Sequence, residues 1–325
     1  MTETGHVIAS DLTEALHLVE VAGDGLRAVV GTHELTAESP RELRRQLSTT
    51  LYEVLHTGRE PERGEPPRTL RDAELEARFG RAVPHRNTRA RATLLQVTAD
   101  GSYVVKHEGL RLKVPAAALA GDPDSSEGTR VDLVLPAARP ALSAGFFLAD
   151  GSRGAGYARP VLRMYVHVED VDAAVAAWSR ILSALEGAEA PYRAKVLSTR
   201  RLLPRRDALV VYLGPGAWHA VPVVAEAVKG LPGVGADSSP ITRRLAPGVG
   251  LAWEPQDGRP GMRGLSFGEH RTRVLAEALV GHALTGGGSS RDELIATRFV
   301  EANIDPADPS RNIDSPILGE NVLTG

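Results

Sequence analysis

Cysteine is missing from all 325 positions, which rules out disulfides, thiolate metal sites and cysteine nucleophiles. Aromatic residues make up only 4% of the chain, too few for a stacking platform for single-stranded nucleic acid or for a ring-lined carbohydrate cleft. Long apolar runs are absent as well. No stretch approaches the roughly 18 residues of a membrane-spanning helix, and Met1-Thr2-Glu3-Thr4-Gly5-His6 does not open like a secretory signal. A soluble, cytoplasmic protein with no membrane partner is therefore expected. The formal charge of -3 argues against a general nucleic-acid binder, while local basic clusters still suit a small anionic group. Lysine is the scarcest charge: of 38 basic residues only Lys106, Lys113, Lys195 and Lys229 are lysines, and all the others are arginine.

The length allows one large domain or two of ordinary size. Residues 9–58 read as helical, with Ser10-Asp11 and Ser39-Pro40 as helix openings, and the polar stretch Glu60 to Pro67 reads as an exposed loop. A helical segment over 1–67 and a second domain over 68–325 are expected. From Arg91 the apolar period shortens to two. Strands are predicted over 92–97, 102–106, 110–114 and 130–135, with Asp100-Gly101 and Glu108-Gly109 as hairpin turns. Further strands are predicted over 161–168, around Lys195 and over 207–213. They alternate with helices over 173–186, capped by Asp170 or Asp172, and over 217–229, ended by Gly230. Helices over 268–284 and 292–302 follow, separated by the turn Gly286-Gly287-Gly288-Ser289-Ser290, and the proline-bearing tail is expected to be irregular. The implied class is α+β: a mixed, largely antiparallel sheet with flanking helices and a helical N-terminal segment.

Lys195 lies in Pro191-Tyr192-Arg193-Ala194-Lys195-Val196-Leu197, an apolar setting in a chain that otherwise supplies charge with arginine. A desolvated ammonium can lose its proton near neutral pH, whereas a guanidinium cannot. A snorkelling edge-strand lysine is the plainer alternative. On the strand before it, Arg163, Tyr165 and His167 share one face, and Leu162, Met164, Val166 and Val168 share the other. An imidazole such as His167 suits a general acid, although taken alone it reads as a surface histidine. Arg205 precedes a strand and can aim its fork across the sheet, while Arg200-Arg201 and Arg243-Arg244 read equally as charged turns. Ser266-Phe267-Gly268-Glu269-His270-Arg271 enters a helix whose free amides favour an anion, or is simply a capped start. No P-loop and no His-Glu-x-x-His pattern occurs, and Gly264-Leu265-Ser266-Phe267-Gly268 lacks the strand that a nucleophile elbow needs.

The ordered set Ala141-Leu142-Ser143-Ala144-Gly145-Phe146-Phe147, Arg163-Met164-Tyr165, Tyr192 to Leu197, Arg205 to Tyr212, Leu245 to Ala252 and Ser266 to Arg271 resembles the HopA-type effector family over roughly residues 70–310. That family includes plant-pathogen effectors and lyase components of bacterial peptide maturation, among them class V lanthipeptides and thioamitides. The resemblance implies a phosphoserine/phosphothreonine lyase acting on a ribosomal precursor peptide and its leader, with no cofactor. It also implies a separate Ser/Thr peptide kinase; handing over a phosphorylated peptide without release favours a heteromeric complex of the two, with the helices before Arg68 as a docking surface. The strand pair with His167 and Lys195 is also similar to the phosphothreonine lyase effectors, in which a lysine is the base and a histidine the acid. Where those lyases place a lysine two residues before the histidine, this chain has Tyr165. The implied site is catalytic Lys195, His167 and Tyr165, with phosphate held by Arg163, Arg205, Arg244 and Arg271. The alternative is a non-catalytic peptide-binding or effector module of the same fold.

Overall fold

The structure, a computed structural model, describes residues 8–61, 71–121, 126–156, 158–286, 288–319 and 322–323. The chain opens with α1 (Ser10–Ala15) and a three-stranded antiparallel sheet of β1 (Val19–Val21), β2 (Arg27–Val30) and β3 (His33–Thr36). Next comes α2 (Pro40–Leu51), capped by the Ser39 side chain and running without a break into a π-helical turn, Tyr52–Thr57. After α3 (Ala73–Ala82) stand β4 (Asn87–Val97), β5 (Tyr103–His107), β6 (Leu110–Val114) and β7 (Arg130–Pro136), ordered β6-β5-β4-β7. This sheet has its own small core, centred on Leu94, Val105 and Leu133.

The central sheet comprises β8 (Ala138–Ser143), β9 (Phe146–Asp150), β10 (Leu162–Val168), β11 (Arg193–Leu197), β12 (Arg205–Leu213), β13 (Arg243–Ala246) and β14 (Val249–Trp253). Its order is β13-β14-β10-β12-β11-β9-β8, and every neighbouring pair is antiparallel. Helices α4 (Val171–Gly187) and α5 (Val221–Val228) are interleaved with these strands. Helices α6 (Phe267–Thr285) and α7 (Arg291–Glu301) and the ribbon β15 (Ile304–Asp305) with β16 (Asp308–Asn312) follow them. The α+β class follows from this arrangement. Among the described residues no helix is long and apolar enough to cross a membrane.

Alternation on β10 explains the layering. Leu162, Met164, Val166 and Val168 pack with Trp178, Ile181 and Leu182 of α4 and with Phe79 of α3. The opposite face, with Tyr165, Val210 and Tyr212, lies under Leu43, Leu47 and Leu51 of α2 and Val274, Leu275 and Leu279 of α6. The N-terminal elements therefore form one layer of the main core.

Several expectations need correction. The helical reading of 9–58 holds for α1, α2 and the π turn but not for residues 19–36, which form β1 to β3. The turns at Gly25 and Gly31, both at positive φ, and the β-branched Val19, Val21, Val29 and Val30 favour paired strands there. The tail is not irregular throughout, because residues 304–312 form a ribbon. Most of the Glu60 to Pro67 loop, and Gly287 of the glycine turn, lie outside the described residues. The hairpin turn at Glu108-Gly109 is present, with both residues at positive φ as a two-residue turn of this hand requires.

Trp178 is the largest fully buried side chain, and its indole N–H donates to the Phe79 carbonyl at 3.3 Å. Trp178→Ala is expected to cost about 3–5 kcal/mol in denaturant unfolding. A loss below about 1 kcal/mol would show that α3 and α4 do not depend on it.

Candidate active site

Register puts Lys195 and Tyr165 in one row. Lys195 of β11 pairs with Val210 of β12, Val210 pairs with Tyr165 of β10, and Tyr165 pairs with Gly250 of β14. Paired residues show the same face, so both side chains stand on the α2–α6 side, their Cα atoms about 10 Å apart at two strand spacings. In the next row Arg163 and Arg193 flank Tyr212.

Lys195 is half-buried, and its Nζ lies 4.0 Å from the centroid of the Phe146 ring. Among the described residues it makes no hydrogen bond and no ion pair. Burial first, then the Arg163 charge, bring its pKa down to about 8, against the opposing pull of Asp207. The other charges in this neighbourhood are matched. Arg163 pairs with Glu254 and stacks 5.1 Å from the Tyr212 ring. Arg205 pairs with Asp207 through two nitrogens, and its Nη2 also donates to the Tyr52 hydroxyl at 2.7 Å. Arg193 pairs with Asp150.

A break in alternation is needed for this. Leu209, Val211 and Leu213 face the α4 side, so strict alternation would turn Arg205 and Asp207 to that side too. The pairing of β10 with β12 is irregular between Val166 and Val168, Ala208 and Leu209 both pack on the α4 side, and Arg205 and Asp207 reach the π turn instead. Re-aiming side chains in this way is a common use of a bulge.

The roof of the site comes from the π turn and the start of α6. His56 is buried, 3.7 Å from the Asp207 carboxylate through Nε2 and 3.4 Å from Ser239 Oγ through Nδ1. Its ring meets Tyr165 edge-on at 5.1 Å and Phe267 at 5.8 Å. Burial lowers its pKa to about 4, so the imidazole is neutral at pH 7. Asp207 would be raised by burial, but Arg205 and then His56 hold it down to about 2. The Tyr165 hydroxyl is buried beside the Arg163 guanidinium, yet it has no partner in hydrogen-bonding geometry, and burial raises its pKa.

The structure brings Lys195, Tyr165, Arg163 and Arg205 together. His167 shares their face but sits at the outer end of β10, half-buried, with Nδ1 donating to the Asp237 carbonyl at 3.2 Å. Gly235 makes room for its ring, since a Cβ there would lie 2.3 Å from Nδ1. Arg244 is exposed on the edge strand, opposite Gly250. Arg271 is enclosed, and its guanidinium serves the C-terminal ribbon: it donates to the Pro309 carbonyl at 2.8 Å and to Asn312 Oδ1 at 3.1 Å. An anion site at that residue would have to displace these bonds. Sequence reasoning missed Tyr52, His56 and Asp207. Tyr52 and His56 sit four apart in a helical stretch that offers no other signal.

A sequence model described as the HopA1 effector protein family matches residues 137–311, more than half of the chain. The chain belongs to the HopA1 effector protein family. Every site residue expected from sequence falls in the matched region, and the roof residues Tyr52 and His56 lie outside it. Two effector proteins of solved structure are similar to this chain. That from Pseudomonas syringae pv. tomato strain DC3000 is 13% identical, with a TM-score of 0.47 over 84% of this chain and 95% of that one. That from Pseudomonas syringae pv. syringae strain 61 is 12% identical, with a TM-score of 0.44 over 84% and 96%. No curated protein matches the chain.

The contact of roof and α6 depends on Gly268, where a Cβ would lie 2.3 Å from His56 Cδ2 and 2.7 Å from Tyr52 Cε2. Gly268→Ala is expected to cost about 1–3 kcal/mol by displacing these rings. Gly281→Ala, later in the same helix with its nearest neighbour at 3.7 Å, is expected to be neutral or stabilising. Equal melting temperatures for the two variants would sink the close-approach argument.

Proposed function

We propose that this chain is a phosphoserine/phosphothreonine lyase that eliminates phosphate from a phosphorylated ribosomal precursor peptide, leaving dehydroalanine or dehydrobutyrine. The observation that carries the reading is Lys195: an amine without an ion pair, half enclosed, beside two buried guanidiniums. The family also supports it, since HopA-type proteins include such lyases. The Cα proton of a phosphorylated residue is weakly acidic, so its removal calls for a neutral amine held against it. That proton passes to Lys195 Nζ, the pair left on Cα forms the Cα=Cβ bond, and the Cβ–O bond breaks, its electrons leaving with phosphate.

Departing without a proton, the phosphate would carry three charges, so the leaving oxygen needs a donor. Tyr165 is assigned that role, because its hydroxyl is unpartnered and stays protonated at the pH where Lys195 is neutral. His167 is a weaker acid candidate: burial lowers its pKa, so its ring is neutral once Lys195 has lost its proton. Arg163 and Arg205 supply fixed positive charge toward the developing phosphate and enolate. His56 and Asp207 hold Tyr165 and Arg205 in place. The second reading, a peptide-binding module without catalysis, is favoured by Tyr165 standing where related lyases place a lysine.

Lys195→Met is expected to abolish dehydration, read as loss of the phosphoric-acid mass change in a phosphopeptide, while binding is retained. Retained dehydration in a folded variant would overturn the base assignment. If wild type returns every phosphopeptide unchanged in the presence of kinase and leader, the binding-module reading stands instead. The same variant is expected to melt higher than wild type. A lysine whose folded pKa is depressed carries its burial penalty in full below about pH 8 and loses it as pH rises toward its unfolded value, so the gain should shrink between those limits.

Wild-type turnover is expected to rise with pH through about 8 and then hold a plateau. Tyr165→Phe should cost about 10²-fold or more in kcat, and His167→Asn far less. A rate that falls again on the alkaline side of the ordinary histidine range, together with the reverse ranking of variants, would transfer the acid role to His167.

The substrate exists only after phosphorylation, so a separate kinase is proposed as partner. A kinase-lyase complex that also engages the leader should co-purify, with the α1–α2 side as docking surface. Separation of the two proteins at micromolar concentration, with and without leader, would mean handover by diffusion.

A further inference from the structure

A groove of about 920 Å³ runs between α2 and α6 on the outside of the roof. Gly268, at the start of α6, abuts Tyr52 and His56, which directly follow α2, so the two helices run antiparallel. The inner end of the groove is therefore at Thr49 and Glu269, and the outer end at Ser39 and Glu277. Glu269 stands where the groove meets the roof, since it lines the groove and follows Gly268, which abuts Tyr52 and His56. From Ser39 to Thr49 the wall is about 15 Å long at the helical rise, room for four or five residues of extended peptide.

The groove is unevenly paired. Each of its carboxylates is already bound: Glu42 accepts from the Glu38 amide and from Gln46, Glu269 closes the capping box at Ser266, and Glu277 meets Arg273 at 3.6 Å and Arg259 at 3.9 Å. Its cations are less committed. Arg45 reaches Glu42 only at 3.9 Å, and Arg41 and Arg44 make no ion pair or hydrogen bond among the described residues. Arg44 Nε is moreover a buried donor without a partner on the groove wall. Arg41, Arg44, Arg45 and Ser48 fall on one stripe of α2, at spacings of three and four.

Resting on the phosphopeptide reading, we infer that the α2–α6 groove binds an acidic segment of the peptide substrate, a run of Asp or Glu flanking the phosphorylated residue, through Arg41 and Arg44. A carboxylate there would meet the unpaired guanidiniums, and the bound chain would lead into the site past Glu269. The groove thus selects which phosphorylated residue of a long peptide is presented to Lys195.

The test compares wild type with Arg41→Gln/Arg44→Gln on phosphoserine peptides carrying either four glutamates or four alanines on one or the other side of the phosphoserine. For wild type the KM of the alanine peptide should exceed that of the better glutamate peptide about tenfold at low salt, and the ratio should fall to about one in the double variant. A ratio that is the same in both enzymes overturns the inference. If wild type eliminates phosphate from none of these peptides with kinase and leader peptide present, the lyase reading fails, and the groove is judged alone by anisotropy of a labelled glutamate peptide without phosphate. Binding that weakens about tenfold in the variant then upholds the groove, and absence of binding, or equal binding, overturns it.

Discussion

An uncompensated amine among compensated guanidiniums is the constraint on which the site side of the central sheet depends. Each arginine near Lys195 has a carboxylate: Glu254 for Arg163, Asp207 for Arg205 and, for Arg193, Asp150, which Arg139 shares. Those pairs make buried guanidiniums tolerable, and they also keep the carboxylates from neutralising the lysine. The ammonium is left with an aromatic face, partial burial and neighbouring positive charge. Only the first of these favours its protonated form.

The C-terminal ribbon takes part in this arrangement at one remove. Arg271 gathers carbonyls of the ribbon, and Asn312 of the same ribbon donates to the Glu254 carbonyl at 2.8 Å. Glu254 in turn holds Arg163. An arginine that reads in sequence as an anion ligand thus holds the ribbon that is tied to the backbone of Glu254, whose carboxylate fixes another arginine. Two buried arginines differ in use because Arg163 meets a carboxylate and an aromatic ring, whereas Arg271 meets backbone carbonyls.

What was legible in the sequence was local. The alternation of β10 announced its two faces, the turns Asp100-Gly101 and Glu108-Gly109 announced their hairpins, and the scarcity of lysine singled out Lys195. What stayed hidden depends on contacts distant along the chain or on broken periods. The π turn looks like the continuation of α2, yet it delivers Tyr52 and His56 to strands about 150 residues away. The bulge in β12 overrides the period of two that would have sent Arg205 and Asp207 to the wrong face. The N-terminal strands were masked by helix-compatible residues on either side, and only their pairing with one another makes them strands.

The ring of Phe146 has a consequence for selectivity in what the amine attacks. A neutral amine able to take a proton is also a nucleophile, and under the lyase reading the product beside it is an electrophilic alkene. Under that reading elimination leaves Lys195 as an ammonium beside the alkene, and an ammonium does not add to it. The aromatic face at 4.0 Å favours this charged form, and so delays the return of the nucleophilic amine while the product leaves. The contact that opposes loss of the proton then protects the base from its own product.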